Sequence, residues 1–111
     1  MLVYKIFRRP EWDALVVHGR TRGAPVDEAD GFVHFSTAGQ LRETAARHFA
    51  GEGDLVLATL DTDRLGDALR WEPSRGGALF PHLYRMLELT DVLRHGPLPS
   101  GPDGHVFPED L

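Results

Sequence analysis

The chain has 111 residues and a formal net charge of −5 at pH 7. This is the length of one domain, and we predict a single domain over residues 1–111. The negative charge argues against general nucleic-acid binding, which usually requires a basic face. The chain has no cysteine, which excludes disulfides, thiolate chemistry, zinc fingers and iron–sulfur sites.

Hydropathy along the chain gives an expectation about its location. No apolar run approaches the roughly 20 residues needed to span a bilayer. A secretion signal places positive charge before a longer apolar run, whereas here a short apolar run precedes Arg8 and Arg9. We therefore predict a cytoplasmic protein with no membrane partner.

The first 30 residues are predicted to form a strand, a helix and a loop. Residues 2–7 are rich in Val, Ile, Tyr and Phe, which is typical of a strand. Pro10 suits the first turn of a helix, and Gly19 is placed to end it. Helical spacing puts three apolar side chains on the buried face of this helix: Trp12, Leu15 and Val16. Residues 20–30 have no clear period and are predicted to be an exposed loop.

The middle of the chain carries clearer patterns. Residues 32–35 predict a second strand. Thr37 and Gln40 fit a capping box at the start of a second helix, which Gly51 is expected to end. Residues 55–60 form a nearly continuous apolar run, which predicts a central strand covered on both faces.

The last part of the chain is predicted to be mostly extended and then irregular. Residues 69–72 predict a short strand and residues 73–77 a loop. Residues 79–93 are mostly extended, with both faces partly buried. From His95 onward Pro and Gly predict an irregular tail, whose residues 106–107 pack on the core. Two good helices among many strands indicate an α+β protein rather than a doubly wound parallel sheet.

His34 is the first candidate for a functional residue. It lies between Val33 and Phe35 on a predicted strand, so its side chain points away from both. If those two face the core, His34 faces a cleft or solvent; the alternative is an ordinary half-exposed strand histidine. Ser36 points the same way as His34 and could form a polar pair with it. Serine hydrolysis is not favoured, because the segment lacks a Gly-x-Ser-x-Gly elbow.

The second candidate is the loop that follows Glu72. Ser74, Arg75 and Gly76 offer a hydroxyl, a guanidinium and backbone N–H groups, and this combination can hold phosphate. The alternative is a plain turn with one exposed arginine, since the segment lacks the lysine of a Walker motif.

The third candidate is the pair His82 and Tyr84, which project from one face of a predicted strand. Both can hydrogen-bond to a ligand or stack on it. The alternative is a tyrosine packed at a sheet edge beside a solvent histidine. His34, Glu72 and His82 could in principle hold a metal, but the chain has no His-Glu-x-x-His pair and we predict no metal.

Several of these segments together resemble a known family. They are residues 30–37, 40–41, 71–77 and 80–84, in that order, with the opening residues 4–6 and Trp12. On these motifs the chain is identified as a member of the bacterial family called domain of unknown function 952, over nearly its whole length. That family is similar in fold to the ADP-ribosyltransferases. The resemblance implies a split, mainly antiparallel sheet with two main helices around a cleft for NAD.

Residues 31–36 carry the most specific part of this resemblance. They are similar to the second motif strand of the poly-ADP-ribose polymerases, with His34 in the tyrosine position. They are also similar to the His-Leu-Ser segment of the NAD-using RNA phosphotransferases. In those relatives this residue packs on the nicotinamide or its ribose. The first strand here lacks the usual His or Arg, a place that Tyr4 or Lys5 could take.

The resemblance implies two classes of function. The first is NAD- or nucleotide-dependent glycosyl transfer, with His34 and Glu72 as catalytic residues and Glu72 stabilising a cation-like sugar. The second is a non-catalytic binding module for a nucleotide or phosphorylated metabolite. Eight further residues are the expected ligand-binding set: Tyr4, Lys5, Ser36, Ser74, Arg75, Gly76, His82 and Tyr84. A partner-binding domain has no specific support in the sequence, and no oligomeric state is predicted.

Overall fold

The computed structural model describes residues 1–111 with the exception of the Arg75 side chain. The described chain forms ten strands: β1 Leu2–Arg8, β2 Arg20–Thr21, β3 Val33–His34, β4 Leu55–Asp61, β5 Leu69–Pro73, β6 Leu79–Leu83, β7 Leu87–Glu88, β8 Val92–Leu98, β9 Ser100–Gly101 and β10 Gly104–His105. Its four α-helices are α1 Arg9–His18, α2 Pro25–Asp30, α3 Ala38–His48 and α4 Thr62–Leu65. Single 3₁₀ turns cover Gly66–Ala68, Arg75–Gly77 and Leu89–Asp91.

Two antiparallel sheets of three strands each organise these elements. Their strand orders are β1-β4-β8 and β3-β6-β5, and β2-β7 and β9-β10 form two small pairs. The larger sheets meet where Tyr4 and Ser36 exchange backbone hydrogen bonds of 2.8 and 2.9 Å. Antiparallel sheets with a few helices confirm the predicted α+β class.

Strand β4 is the centre of the first sheet, as its apolar run predicts. Residues 55–60 are buried throughout, with β1 on one side and β8 on the other. One face of this sheet packs on α1 and the second sheet, in a cluster that includes Val3, Phe7, Trp12, Leu15, Val33 and Leu83. The opposite face packs on α3, in a cluster that includes Tyr4, Ile6, Leu41, Ala45, Leu57 and Leu98. An apolar strand between two cores loses water from both faces, which favours its central position.

The two longer helices begin where their signals predict. Pro10 lies in the first turn of α1, and Gly19 ends this helix in the left-handed conformation. The Thr37 backbone N–H donates to Gln40 Oε1 at 3.0 Å at the start of α3, which confirms that half of the capping box. Helix α3 ends earlier than predicted, at His48, so Gly51 follows the helix rather than closing it.

The apolar stripe of α1 is narrower than its spacing predicts. Trp12 and Leu15 are buried, but Val16 is 50% exposed. The prediction was therefore wrong for Val16, because the sheet covers only the stripe through Trp12 and Leu15.

The prediction of an exposed loop over residues 20–30 was wrong. Residues 20–21 pair with β7, and residues 25–30 form helix α2. Pro25 favours the first turn of this helix, and the Asp27 carboxylate accepts the Ala24 backbone N–H at 2.6 Å. The segment lacks the periodic large apolar residues that usually indicate a helix, because the buried side chain of α2 is the carboxylate of Asp27.

The predicted irregular tail from His95 onward was also partly wrong. Strand β8 runs to Leu98 and keeps its pairing with β4 through Pro97. Because β8 is an edge strand, Pro97 removes no hydrogen bond from a central ladder. Phe107 packs against the α3 side of the core, whereas Val106 is 55% exposed. Among the described residues no helix is long and apolar enough to cross a membrane.

Gly31 provides a test of how α2 is joined to β3. It ends α2 with φ +86°, and an added Cβ would meet no atom within 4 Å. The strain of Gly31→Ala is therefore conformational rather than steric, and we expect a loss of about 1–2 kcal/mol in the free energy of unfolding. Chemical denaturation measures this. Gly39→Ala, at a helical glycine with negative φ, is the control and should be neutral or stabilising.

Candidate functional site

His34 lies on the short strand β3, where the second sheet meets β1. Its neighbours Val33 and Phe35 are 2% and 3% exposed, whereas the His34 side chain is 32% exposed. The alternation of the strand therefore turns His34 out of the apolar core. His82 is its direct partner on β6, and the two ring centroids lie 5.3 Å apart. Antiparallel pairing thus places two histidines side by side on one face.

A buried ion pair lies next to His34. Asp27 in α2 is 1% exposed and Lys5 in β1 is 8% exposed, and the Lys5 ammonium donates to Asp27 Oδ2 at 2.9 Å. Lys5 also donates to the His34 carbonyl at 3.1 Å. The other Asp27 oxygen accepts the His34 backbone N–H at 3.0 Å. These bonds join β1, α2 and β3 at one point.

Both ring nitrogens of His34 face carboxylates. Nδ1 lies 2.5 Å from Asp27 Oδ1, and Nε2 lies 3.0 Å from Asp30 Oδ2. A neutral imidazole has one N–H, so only the doubly protonated ring can donate to both at once. His34 can act as a general base only if the contact of one ring nitrogen with its carboxylate, Asp27 or Asp30, is broken.

The pKa of Asp27 reflects opposing contributions. Burial acts to raise it, because a desolvated carboxylate is costly. The hydrogen bond from His34 and the charge of Lys5 outweigh this and lower the pKa from 3.8 to about 2. Asp27 is therefore ionised at neutral pH although its side chain is fully buried.

The Phe32 ring contacts three other aromatic side chains of the site. Its ring centroid lies 4.1 Å from that of His82, 4.6 Å from that of His34 and 5.2 Å from that of Tyr84. The Phe32–His82 pair is stacked, with an interplanar angle of 29°. Phe32 shares the strand parity of His34, which explains why it covers this face of the sheet.

Glu72 in β5 holds His82 and Tyr84 together. Its Oε1 lies 2.8 Å from His82 Nδ1 and accepts the Tyr84 hydroxyl at 2.6 Å. The hydrogen bonds from Tyr84 and His82 lower the pKa of the Glu72 carboxyl. The same bond to Glu72 raises the pKa of Tyr84. Glu72 is therefore an ionised acceptor at neutral pH, and both partners act as donors.

A cavity of about 560 Å³ opens beside His34, between β1, β3, α3 and the start of β6. Its basic lining residues are Lys5, Arg8, His34, Arg47, His48 and His82. Its larger apolar lining residues are Ile6, Val26, Phe35, Leu41, Phe49 and Phe80. Among the described side chains, no Asp or Glu lines it. In a chain with 17 Asp and Glu residues against 12 Lys and Arg residues, this lining is unusually poor in negative charge.

The basic residues of the cavity differ in how firmly they are held. Lys5 is fixed by the buried Asp27 carboxylate, and Arg8 donates two hydrogen bonds of 2.8 and 2.9 Å to Glu52. Arg47 pairs with Glu43 one helical turn away, and both side chains are more than half exposed. An exposed pair of this spacing is worth only about 0.3–0.5 kcal/mol. Arg47 can therefore turn to another anion at little cost.

Comparison with known proteins identifies the family to which this chain belongs. A family model described as "Protein of unknown function (DUF952)" matches residues 6–95. The chain belongs to this family. The crystal structure of protein CC0527 from Caulobacter crescentus is similar, with TM-score 0.90 and 50% identity over 95% of this chain and 92% of that one. The solution NMR structure of CC0527 has TM-score 0.84 and 50% identity over 94% and 90% of the two chains. No curated protein matches significantly.

The fold of this DUF952 protein brings most of the predicted site residues together. Six of them line the cavity: Tyr4, Lys5, His34, Ser36, Ser74 and His82. Glu72 does not line it but is bound to His82, which does. Tyr84 lines a second cavity of about 490 Å³, whose lining also includes Phe32. Gly76 is exposed and lies outside both cavities, and the Arg75 side chain lies outside the described residues.

Sequence reasoning missed three residues of this site. Asp27 lies in a segment predicted to be an exposed loop, although Pro25 with Asp27 and Glu28 in the turn after it is a signal for a helix start. Phe32 was predicted only as a strand residue, although its parity with His34 puts both on one face. Arg47 carries no local signal, since its place in the cavity depends on how α3 packs.

The side chains considered as metal ligands, His34, Glu72 and His82, all contact other side chains. Among the described residues, no group of three or more His, Asp or Glu side chains is arranged to hold a metal ion. His82 and Glu72 are hydrogen-bonded to each other, and the His34 nitrogens face Asp27 and Asp30.

Proposed function

We propose that this DUF952 protein binds a phosphorylated small molecule of the nucleotide class in the cavity beside His34. The observation that carries the proposal is the lining of that cavity, which combines basic side chains and aromatic rings without a described carboxylate. Basic groups favour phosphate, and aromatic rings favour the flat face of a base. Its volume of about 560 Å³ lies within the usual range of ligand sites, about 300–1,000 Å³.

The two ends of the cavity suit different parts of such a ligand. Arg47 and His48 come from the last turn of α3, and Arg47 is the cation that can be redirected most easily. We assign the phosphate to this end. Phe80 and His82 come from β6, beside Ser36 and its hydroxyl partner Thr44 at 2.8 Å. The base or sugar lies at this second end, where rings and hydroxyls are available.

NAD is one nucleotide that this lining fits, and an ADP-ribosyltransferase-like fold is part of the proposal. The backbone bridge between Tyr4 and Ser36 supports it, because it sets the first strand beside the His34 segment, as in a cleft between two sheets. The NAD diphosphate would meet the basic groups, and its rings would meet the aromatic ones. NAD would supply the ribosyl bond that a transferase cleaves.

Glycosyl transfer is the second candidate, favoured by the contact between Glu72 and His82. Glu72 contacts His82 from the side away from the cavity. Its ionised carboxylate could stabilise a cation-like sugar if the His82 ring moved aside. Two observations favour binding without transfer instead. Glu72 already accepts two hydrogen bonds and does not line the cavity. His34 has both nitrogens directed at carboxylates.

Calorimetry with NAD, ADP-ribose and AMP tests the binding proposal. We expect binding of at least one of them, and about 10-fold weaker binding in Arg47→Gln, since a charge-assisted hydrogen bond is lost. Arg20→Gln is the matched control. Arg20 is also exposed and paired with one glutamate, Glu88, but it lies outside the described cavities. No binding of any nucleotide, or equal loss in both variants, would contradict the proposal.

Nicotinamide release from NAD separates the two candidates. We expect no release above the rate without protein. Steady release by the wild type that disappears in Glu72→Ala would favour glycosyl transfer. Release that Glu72→Ala leaves unchanged would point to a contaminating enzyme.

A further inference from the structure

One ring nitrogen of His82 has no partner in the described structure. His82 is 5% exposed although it lines the cavity. Its Nδ1 lies 2.8 Å from Glu72, and Phe32 stacks on one ring face at 4.1 Å. No described protein group is hydrogen-bonded to Nε2. A buried polar atom without a hydrogen bond destabilises a protein, so a ligand atom that donates to Nε2 would bind favourably here.

Glu72 determines which ring nitrogen of His82 carries the hydrogen. The carboxylate can only accept, and its Oε1 receives both the His82 ring N–H and the Tyr84 hydroxyl. Nδ1 must therefore carry a hydrogen. In a neutral ring this leaves Nε2 with a lone pair, which makes Nε2 an acceptor.

The groups around His82 bear on its charge. Arg70 lies directly opposite it in the β5–β6 register, and its guanidinium sits 5.3 Å from the Tyr84 ring centre. The His34 ring, held between two carboxylates, lies 5.3 Å away on β3. Glu72 is the one described carboxylate bonded to His82. A positive His82 would thus have one carboxylate partner but would lie beside two other basic groups.

We propose that Glu72 is a positioning residue that fixes His82 as its Nδ1–H tautomer, so that Nε2 accepts a hydrogen bond from a hydroxyl of the ligand. This inference rests on the proposed function, because it assigns one contact within that cavity. In this arrangement a donor group of the ligand contacts His82, and the phosphate lies at the end of the cavity that contains Arg47. The cavity therefore selects a nucleotide with free hydroxyls over one without them.

Nitrogen NMR of the histidine rings tests the positioning without any ligand. At pH 8, where an ordinary histidine is neutral, His82 of the wild type should show a protonated Nδ1 and an unprotonated Nε2. In Glu72→Ala the proton should redistribute toward Nε2, and Tyr84→Phe should leave the wild-type tautomer largely in place. Glu88→Ala, at another half-exposed strand glutamate, is the control and should change nothing at His82. An unprotonated Nδ1, or a doubly protonated ring, in the wild type would overturn the inference.

Calorimetry with AMP and its 2',3'-dideoxy counterpart tests the selection. The wild type should bind AMP about 10-fold more tightly, and this preference should fall toward unity in Glu72→Ala and His82→Gln. Glu72 is partly exposed, so Glu72→Ala should fold even if His82→Gln does not. Equal binding of both nucleotides by the wild type would overturn the selection. If neither binds, the proposed function fails, and the NMR result still decides the positioning.

Discussion

Replacing Asp27 by asparagine is expected to lower the free energy of unfolding by about 3–5 kcal/mol, the usual cost of removing one partner from a buried ion pair. The Asp27 side chain is fully buried, and Lys5 is only 8% exposed. Asparagine keeps the shape but leaves the Lys5 ammonium without a counter-charge in the core. The largest effect of this variant is therefore on the stability of the fold around His34.

Urea denaturation of two further variants gives this prediction its controls. Asp30→Asn removes a carboxylate from the same helix that also faces His34, but Asp30 is 47% exposed, so the expected loss is below about 1 kcal/mol. The double variant Lys5→Met with Asp27→Asn should recover part of the stability, because no buried charge remains unpaired. Equal losses in Asp27→Asn and Asp30→Asn would show that burial of the Lys5–Asp27 pair is not the cause.

The stability of the wild type is expected to fall by about 2.5 kcal/mol in acid because of Asp27 alone. Its pKa is lowered to about 2 in the folded protein from an ordinary value of 3.8. Below pH 3.8 the unfolded chain binds a proton that the folded protein resists, so acid favours unfolding. The contribution is present in full above about pH 5 and is lost as the pH falls through 3.8 toward 2.

The pH series must be measured on the wild type and on Asp27→Asn together. Other carboxyls with lowered pKa, including Asp91 and Glu72, titrate in the same range in both proteins. The difference between the two denaturation curves should therefore shrink by about 2 kcal/mol between pH 5 and pH 2, and the rest of the roughly 2.5 kcal/mol is lost below pH 2. A difference that stays constant with pH would mean that the buried carboxylate does not keep its charge in acid.

Local patterns in the sequence predict those parts of the fold that depend on neighbouring residues. The apolar run of β4 predicted a central strand, and Pro10 and Gly19 predicted the start and end of α1. These signals act over a few residues through backbone geometry and burial. Alternation along β3 likewise predicted that His34 points away from Val33 and Phe35. The candidate site was thus found at His34, Ser36 and His82 from patterns within single segments.

Tertiary packing, in contrast, brings particular residues into contact and supplies the partner that binds each of them. Lys5 and Asp27 are 22 residues apart in the chain, and His34 contacts His82 through strand pairing that no local pattern specifies. Asp27 looked exposed because a lone carboxylate in a polar segment usually lies in solvent. It is buried only because α2 folds over β1, where the charge of Lys5 and the N–H groups of His34 replace the water it loses.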